Sequence, residues 1–187
     1  MNSRNICTLC AILIVAMLVT VTGCTTAIKE GVGVARGAKG VYAPIQSVSA
    51  TAETRPLGIY KRFELGEFVD DFGGKVPASL MPAFRTAFID QIVSNKLPND
   101  PQGKTLLIRG RLLHYESADT LAMAVRPLEE VVARVELVDK DTGQVLGVAN
   151  CLGRTTTRVN LGVEKKGDGL AKAIVSWLAA RYPQPVE

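Results

Sequence analysis

A chain of 187 residues with 47% hydrophobic, 21% charged and 5% aromatic side chains supports one domain plus a tail. It is too apolar and too weakly charged to be disordered, and its formal net charge of +4 makes no electrostatic case for nucleic acid. Only one apolar run, near the N-terminus, is long enough to meet a bilayer, which excludes a multi-span membrane protein.

Residues 1–24 read MNSRNICTLCAILIVAMLVTVTGC, with Arg4 ahead of an apolar run from Ile6 to Val21. A spanning helix needs about 20 residues, so this run of 16 fits a signal-peptide core better than a membrane anchor. The run closes on Val21-Thr22-Gly23-Cys24, which resembles the lipobox of bacterial lipoproteins. The resemblance implies a signal peptide over 1–23, cleavage before Cys24, and lipid attachment, palmitate-type chains included, at Cys24. A small residue beside the cut and a thiol nucleophile suit that chemistry. The alternatives are an ordinary secretory signal or an uncleaved anchor. Each buried methylene contributes about 0.8 kcal/mol, so two or three acyl chains on one residue anchor durably where one does not. Thr25, where an Asp would mark inner-membrane retention in enteric-type bacteria, implies the outer membrane with the domain facing the periplasm. Inner membrane and cell surface stay open as alternatives. Cys7 and Cys10 leave with the signal, so Cys151 remains without a disulfide partner and reads as a small buried strand residue.

Residues 24–56 are rich in Gly, Ala, Ser and Thr and read as a lipidated cysteine followed by a flexible tether. Gly31–Gly40, GVGVARGAKG, matches neither GxGxxG nor GxxxxGK[ST], so no nucleotide site is expected there. A further reading is a short helix or partner-binding segment in which Val32, Val34, Val41, Tyr42 and Ile45 order on contact. The domain is expected over 57–187, where 17 basic and 16 acidic side chains nearly cancel.

Leu57–Phe72 has the β-branched and aromatic content of a strand, with an interruption near Gly66. Ser79–Leu97 predicts an amphipathic helix: Ser79 as N-cap, Pro82 in the first turn, and Met81, Phe84, Phe88 and Ile92 as its stripe, widened by Leu80, Ile89 and Val93. Lys104–Ser117 follows as a strand with Gly110 as a candidate bulge. Glu130–Asp139 alternates with period two, placing Val131, Ala133, Val135 and Leu137 on one face. Gln144–Thr156 pairs with it through a tight turn, Asp141 capping and Gly143 taking positive φ. Gly167–Tyr182 predicts the second helix, with Asp168 as N-cap and Leu170, Ile174, Trp177 and Leu178 as its stripe. The order β-α-β-β-β-α predicts an α+β fold, one mixed sheet with two helices on one face.

The lipobox, the Gly-linked tether, LLIRGRLLHY, VELVDKDTGQVLG and the final apolar helix together resemble a family of bacterial lipoproteins whose domain has no assigned function. The resemblance covers about 57–182 and consists mainly of fold signals. The element order is similar to periplasmic α/β modules in curli-secretion lipoproteins and to the N-terminal domain of the Tol-system propeller protein. No catalytic residue comes with either resemblance.

The chemical inventory is thin. His114 is the only histidine, and no H-E-x-x-H, paired CxxC or G-x-S-x-G occurs, so neither a metal nor a catalytic triad is expected. Asp70-Asp71 and Glu129-Glu130 are sequence neighbours that point to opposite strand faces and make no acid/base couple. Asp139 and Asp141 start like a calcium loop, but Gly143 comes one place early and Asn150 stands where the bidentate Glu belongs. The sequence therefore predicts a non-enzymatic, cofactor-free, lipid-anchored envelope protein. Its domain binds or scaffolds another envelope component or a second copy of itself, with exposed strand edges as one route. The alternative is a carrier or sensor of a small apolar ligand or lipid held between sheet and helices.

Overall fold

The computed structural model describes residues 38–46, 57–72, 75–116, 130–155 and 162–183. Cys24 and the expected signal peptide over 1–23 lie outside them. Among the described residues seven elements run in the order β1 (Ala38–Gln46), β2 (Arg62–Asp70), α1 (Leu80–Ser94), β3 (Thr105–Tyr115), β4 (Glu130–Asp139), β5 (Val145–Thr155) and α2 (Val163–Arg181). The fold is α+β, as expected, with a single sheet in the spatial order β1-β5-β4-β3-β2. All neighbours are antiparallel except β2 and β3, whose parallel pairing requires the crossover through α1.

One strand was not anticipated. β1, Ala38–Gln46, falls inside the stretch read as a tether. The reason is local. Gly40 and Gly153 are register partners on β1 and β5, and α2 sits directly on both. A Cβ at Gly40 would overlap the backbone of Gly169 and Ala173, and one at Gly153 the backbone of Lys166 and Leu170. Gly169 completes the contact from the helix side, 2.9 Å from Lys39 O for a Cβ placed there. The glycines that resemble linker composition are packing positions.

The remaining elements follow the sequence pattern with shifted ends. Val131, Ala133, Val135 and Leu137 of β4 are fully buried, as are Leu170, Ile174, Trp177 and Leu178 of α2. Helix α1 buries Leu80, Phe84, Phe88 and Ile92 but leaves Ile89 and Val93 exposed, 60% and 69%. The break in β2 lies between Leu65 and Phe68, where a bulge at Gly66-Glu67 switches parity. It lets Phe63, Leu65 and Phe68 all face the helices, and Phe68 meets Phe84 edge-on at 5.0 Å between ring centres. In β3 the irregularity is at Leu113, not Gly110. Gly110 is small because the Phe68 ring occupies the space, 2.6 Å from where a Cβ would stand.

Of the expected caps, Ser79 holds its position and two are corrected. Ser79 is the N-cap of α1 through its backbone carbonyl, which accepts from Ala83 N–H at 3.1 Å, with no side-chain cap bond. Helix α2 begins earlier, behind Gly162, and Asp168 instead accepts from Lys172 one turn on, at 2.8 Å. In the β4–β5 turn Gly143 does take positive φ, +72°. The capping carboxylate is Asp139, not Asp141: its Oδ1 accepts the N–H of Asp141 at 3.0 Å and of Thr142 at 3.1 Å.

Candidate functional site

Both helices pack on one face of the sheet, and among the described residues no element covers the other, the bare face. Strand alternation puts Val41, Val132, Val148, Leu152, Arg109, Arg111, Arg134 and Glu136 on it. A cleft of about 540 Å³ opens there, lined by Glu67, Val69, Arg109, Gly110, Arg111, Leu113, Arg134 and Glu136. Arg109 Nε donates to Glu136 Oε2 at 2.8 Å, and Arg111 Nη1 lies 3.0 Å from Asp71. Arg134 Nε reaches only Asn150 Oδ1, at 3.4 Å. A second, smaller groove of about 350 Å³ runs between β2 and α1, with Phe63, Leu65, Phe88, Ile89, Ile92 and Val93 on its walls.

The sheet edges are guarded. On β2 the Arg85 guanidinium caps the carbonyls of Leu65 and Gly66, at 3.4 and 3.3 Å, beside the bulge. On β1, Pro44 offers no N–H and the register slips between Pro44 and Gln46. Bulges, arginine caps and prolines are what blunts an edge against strand addition, so the bare face is the better recognition surface.

Two ionic corners flank the sheet. At one, Asp139 Oδ2 accepts from Lys104 Nζ at 2.6 Å and from the Tyr60 hydroxyl at 2.8 Å. Lys104, then Tyr60, then the two turn N–H groups hold the Asp139 carboxyl well below the usual carboxylate range, against an opposing burial effect. Burial first, and the hydrogen bond to Asp139 second, push the Tyr60 phenol above its ordinary value. This corner locks the loop before β2 to the β4–β5 turn and has the character of a structural tie.

At the other corner the register brings together His114, Glu116 and Glu130, with one donor atom of each within 4.8 Å of the others. Sequence reading treated His114 and Glu129-Glu130 separately; the Leu113 bulge is what sets His114 opposite Val132 and its imidazole toward Glu130. Glu130 already meets Arg154 Nη2 at 3.3 Å and His114 Nε2 at 3.9 Å. Zinc donors stand about 2.0–2.2 Å from the metal, so these three must close in and release Arg154 before an ion could bridge them. They are the residues that could hold a metal, and their present geometry is that of an ion-paired corner. Lys166, buried in α2, donates to Glu116 O at 2.9 Å with its ammonium 4.1 Å from the Tyr115 ring centre. It ties the helix start to the end of β3, and nothing in its sequence neighbourhood announced that role.

Cys151 faces the core of the sheet, fully buried, and burial pushes its thiol up to about 12. It stays protonated and is no nucleophile at neutral pH. Asp71 is drawn to Arg111, while Asp70 Oδ1 accepts from Phe72 N–H at 2.8 Å, so that pair diverges as expected.

No family model and no curated relative matches the chain. Among solved structures, a PelC dodecamer from Paraburkholderia phytofirmans is similar with a TM-score of 0.50 and 15% identity, over 78% of this chain and 99% of that one. A minor lipoprotein from Acinetobacter baumannii aligns with a TM-score of 0.40 and 15% identity, over 65% and 94%. At these identities the likeness is one of fold, and the PelC comparison alone carries it. Among the described residues no helix is long and apolar enough to cross a membrane.

Proposed function

We propose that this protein is a lipid-anchored envelope lipoprotein, most simply of the outer membrane, whose domain is a non-enzymatic binding or scaffolding module. The observation that carries the binding reading is the asymmetric sheet, with one face closed by two helices and the other covered by no element among the described residues. The tetrapeptide Val21–Cys24 supports the anchor. A similar fold that assembles as a dodecamer supports a second copy of this chain as one of its partners. The inert Cys151 and the ion-paired His114 corner favour binding over catalysis. The glycine contact of α2 leaves no volume for a lipid between α2 and the β1–β5 pair, which weighs against the carrier alternative.

The test uses the intact protein in its own membrane. Palmitate labelling of wild type but not of Cys24→Ala is expected, with fractionation to the outer membrane. A photo-cross-linker at Leu152, on the bare face, is expected to capture one envelope protein or a ladder of self-adducts. An equal label on Cys24→Ala would remove the anchor. No adduct, under conditions that capture a known envelope complex, would remove the scaffold.

A further inference from the structure

The strand register places two arginines directly opposite one another on the bare face. Arg111 of β3 pairs with Arg134 of β4, and Arg109–Glu136 is the next outward pair along the strands. Like charges in directly opposed positions destabilise a sheet, where an opposite pair such as Arg109–Glu136 stabilises it. Nothing in the fold requires the arrangement: both side chains are on the bare face, and neither fills core. Within the described residues Arg111 is satisfied by a half-exposed Asp71, and Arg134 has no carboxylate partner at all. Features that oppose local stability without a packing reason are expected where a ligand supplies the missing interaction.

We infer that Arg111 and Arg134 form a phosphate-binding fork on the bare sheet face, with the ester body of the ligand lying in the adjoining cleft. The choice of phosphate over carboxylate rests on valence. A single guanidinium saturates both oxygens of a carboxylate, whereas two guanidinium groups on neighbouring strands, swung together from Asp71 and Asn150, match the three outward oxygens of a phosphate monoester. Val69 and Leu113 supply apolar wall, and about 540 Å³ holds more than the bare ion. Glu67 and Glu136 line the same cleft and admit hydroxyl-bearing bodies, which can donate to them, while opposing ligands with a further acidic group beyond the phosphate. Arg109 is committed to Glu136 and frames the site without serving the phosphate. This site deepens the binding reading by naming a ligand chemistry, yet it does not depend on the lipid anchor.

The full chain in neutral detergent is titrated calorimetrically with glycerol 3-phosphate, and in a second arm with micelles doped with phosphatidic acid. Binding to either is expected, weakening with salt. Saturation by glycerol 3-phosphate alone identifies a soluble phosphate ester. Binding to doped micelles, displaced by glycerol 3-phosphate, identifies a lipid headgroup. Arg134→Gln is expected to lower affinity at least about tenfold, because a charge-assisted hydrogen bond is lost. Arg134→Lys, which keeps the charge and loses the fork, falls between. Lys96→Gln, the same charge change on the helix layer, leaves affinity unchanged. Far-UV circular dichroism establishes that each variant is folded. The proposal is overturned if neither probe binds at millimolar concentration, or if folded Arg111→Gln and Arg134→Gln bind as wild type does. Both failures leave palmitate labelling and cross-linking untouched, so they do not bear on the anchor.

Discussion

The two helices cover the same face of one sheet by opposite means. Helix α2 lies on glycines, Gly40 and Gly153 below and its own Gly169 above, close enough that backbone meets backbone. Helix α1 lies on rings, Phe84 against Phe68 with Phe88 beside it, and its outer apolar residues Ile89 and Val93 stay in solvent. The first contact is rigid because any added atom must move a main chain; the second is adjustable because side chains change rotamer. The difference teaches that small residues mark the tightest part of this protein and large ones the more forgiving part.

Substitutions make that contrast measurable. The largest effect is expected for Trp177→Ala, since Trp177 is fully buried under α2 and stacks with Tyr42 of β1 at 6.4 Å between ring centres. Its indole N–H finds no acceptor among the described residues, so its contribution is packing, and removal costs about 3–5 kcal/mol in urea unfolding. Gly153→Ala adds one methyl where Leu170 N and Lys166 O already stand and is expected to cost about 1–3 kcal/mol. If Gly153→Ala unfolds at the wild-type urea midpoint, α2 is not seated on the glycines as described.

The Asp139 corner answers to pH. Its carboxyl is held below the ordinary value, so its contribution is complete above about pH 4 and is lost as pH falls through the folded value. The Tyr60 phenol is raised, so its contribution is complete below about pH 10 and is lost as pH climbs toward the folded value. Asp139→Asn keeps an oxygen for the turn N–H groups and loses the charge facing Lys104. It is expected to lower the thermal midpoint at pH 7 and to flatten the acid limb of the stability–pH curve. An acid limb unchanged in Asp139→Asn would assign the acid sensitivity elsewhere. The smallest effect belongs to Ile89→Ser with Val93→Ser, each expected within about 0.5 kcal/mol because both are exposed on α1. A loss several times larger would show that the α1 surface is covered in solution.

Much of this was legible in the sequence where one period dominates. β4 alternates cleanly through Leu137, and four of its six buried residues, Val131, Ala133, Val135 and Leu137, were readable in advance. The imperfect alternation of β2 is itself the trace of the Gly66-Glu67 bulge. β1 was hidden because AKGVYAPIQ has the composition of a linker, and only the helix resting on Gly40 explains its smallness. Asp139 and Asp141 are equivalent in sequence, and the turn geometry alone selects the first as cap. The Arg111–Arg134 opposition depends on the β3–β4 register, which strand patterns constrain only by face, not by partner.

The seating of α2 on Gly40 has a consequence for the order of events during folding. The first strand of the unit pairs with the last strand and is covered by the last helix. Contacts between such distant stretches form late, since a long loop must close before they repay its entropy. The β4–β5 hairpin is available early, and β1 can pair with β5, but the β1–β5 pair stays uncovered until Val163–Arg181 has been made. A chain emerging from the ribosome therefore completes this layer only when its last helix arrives.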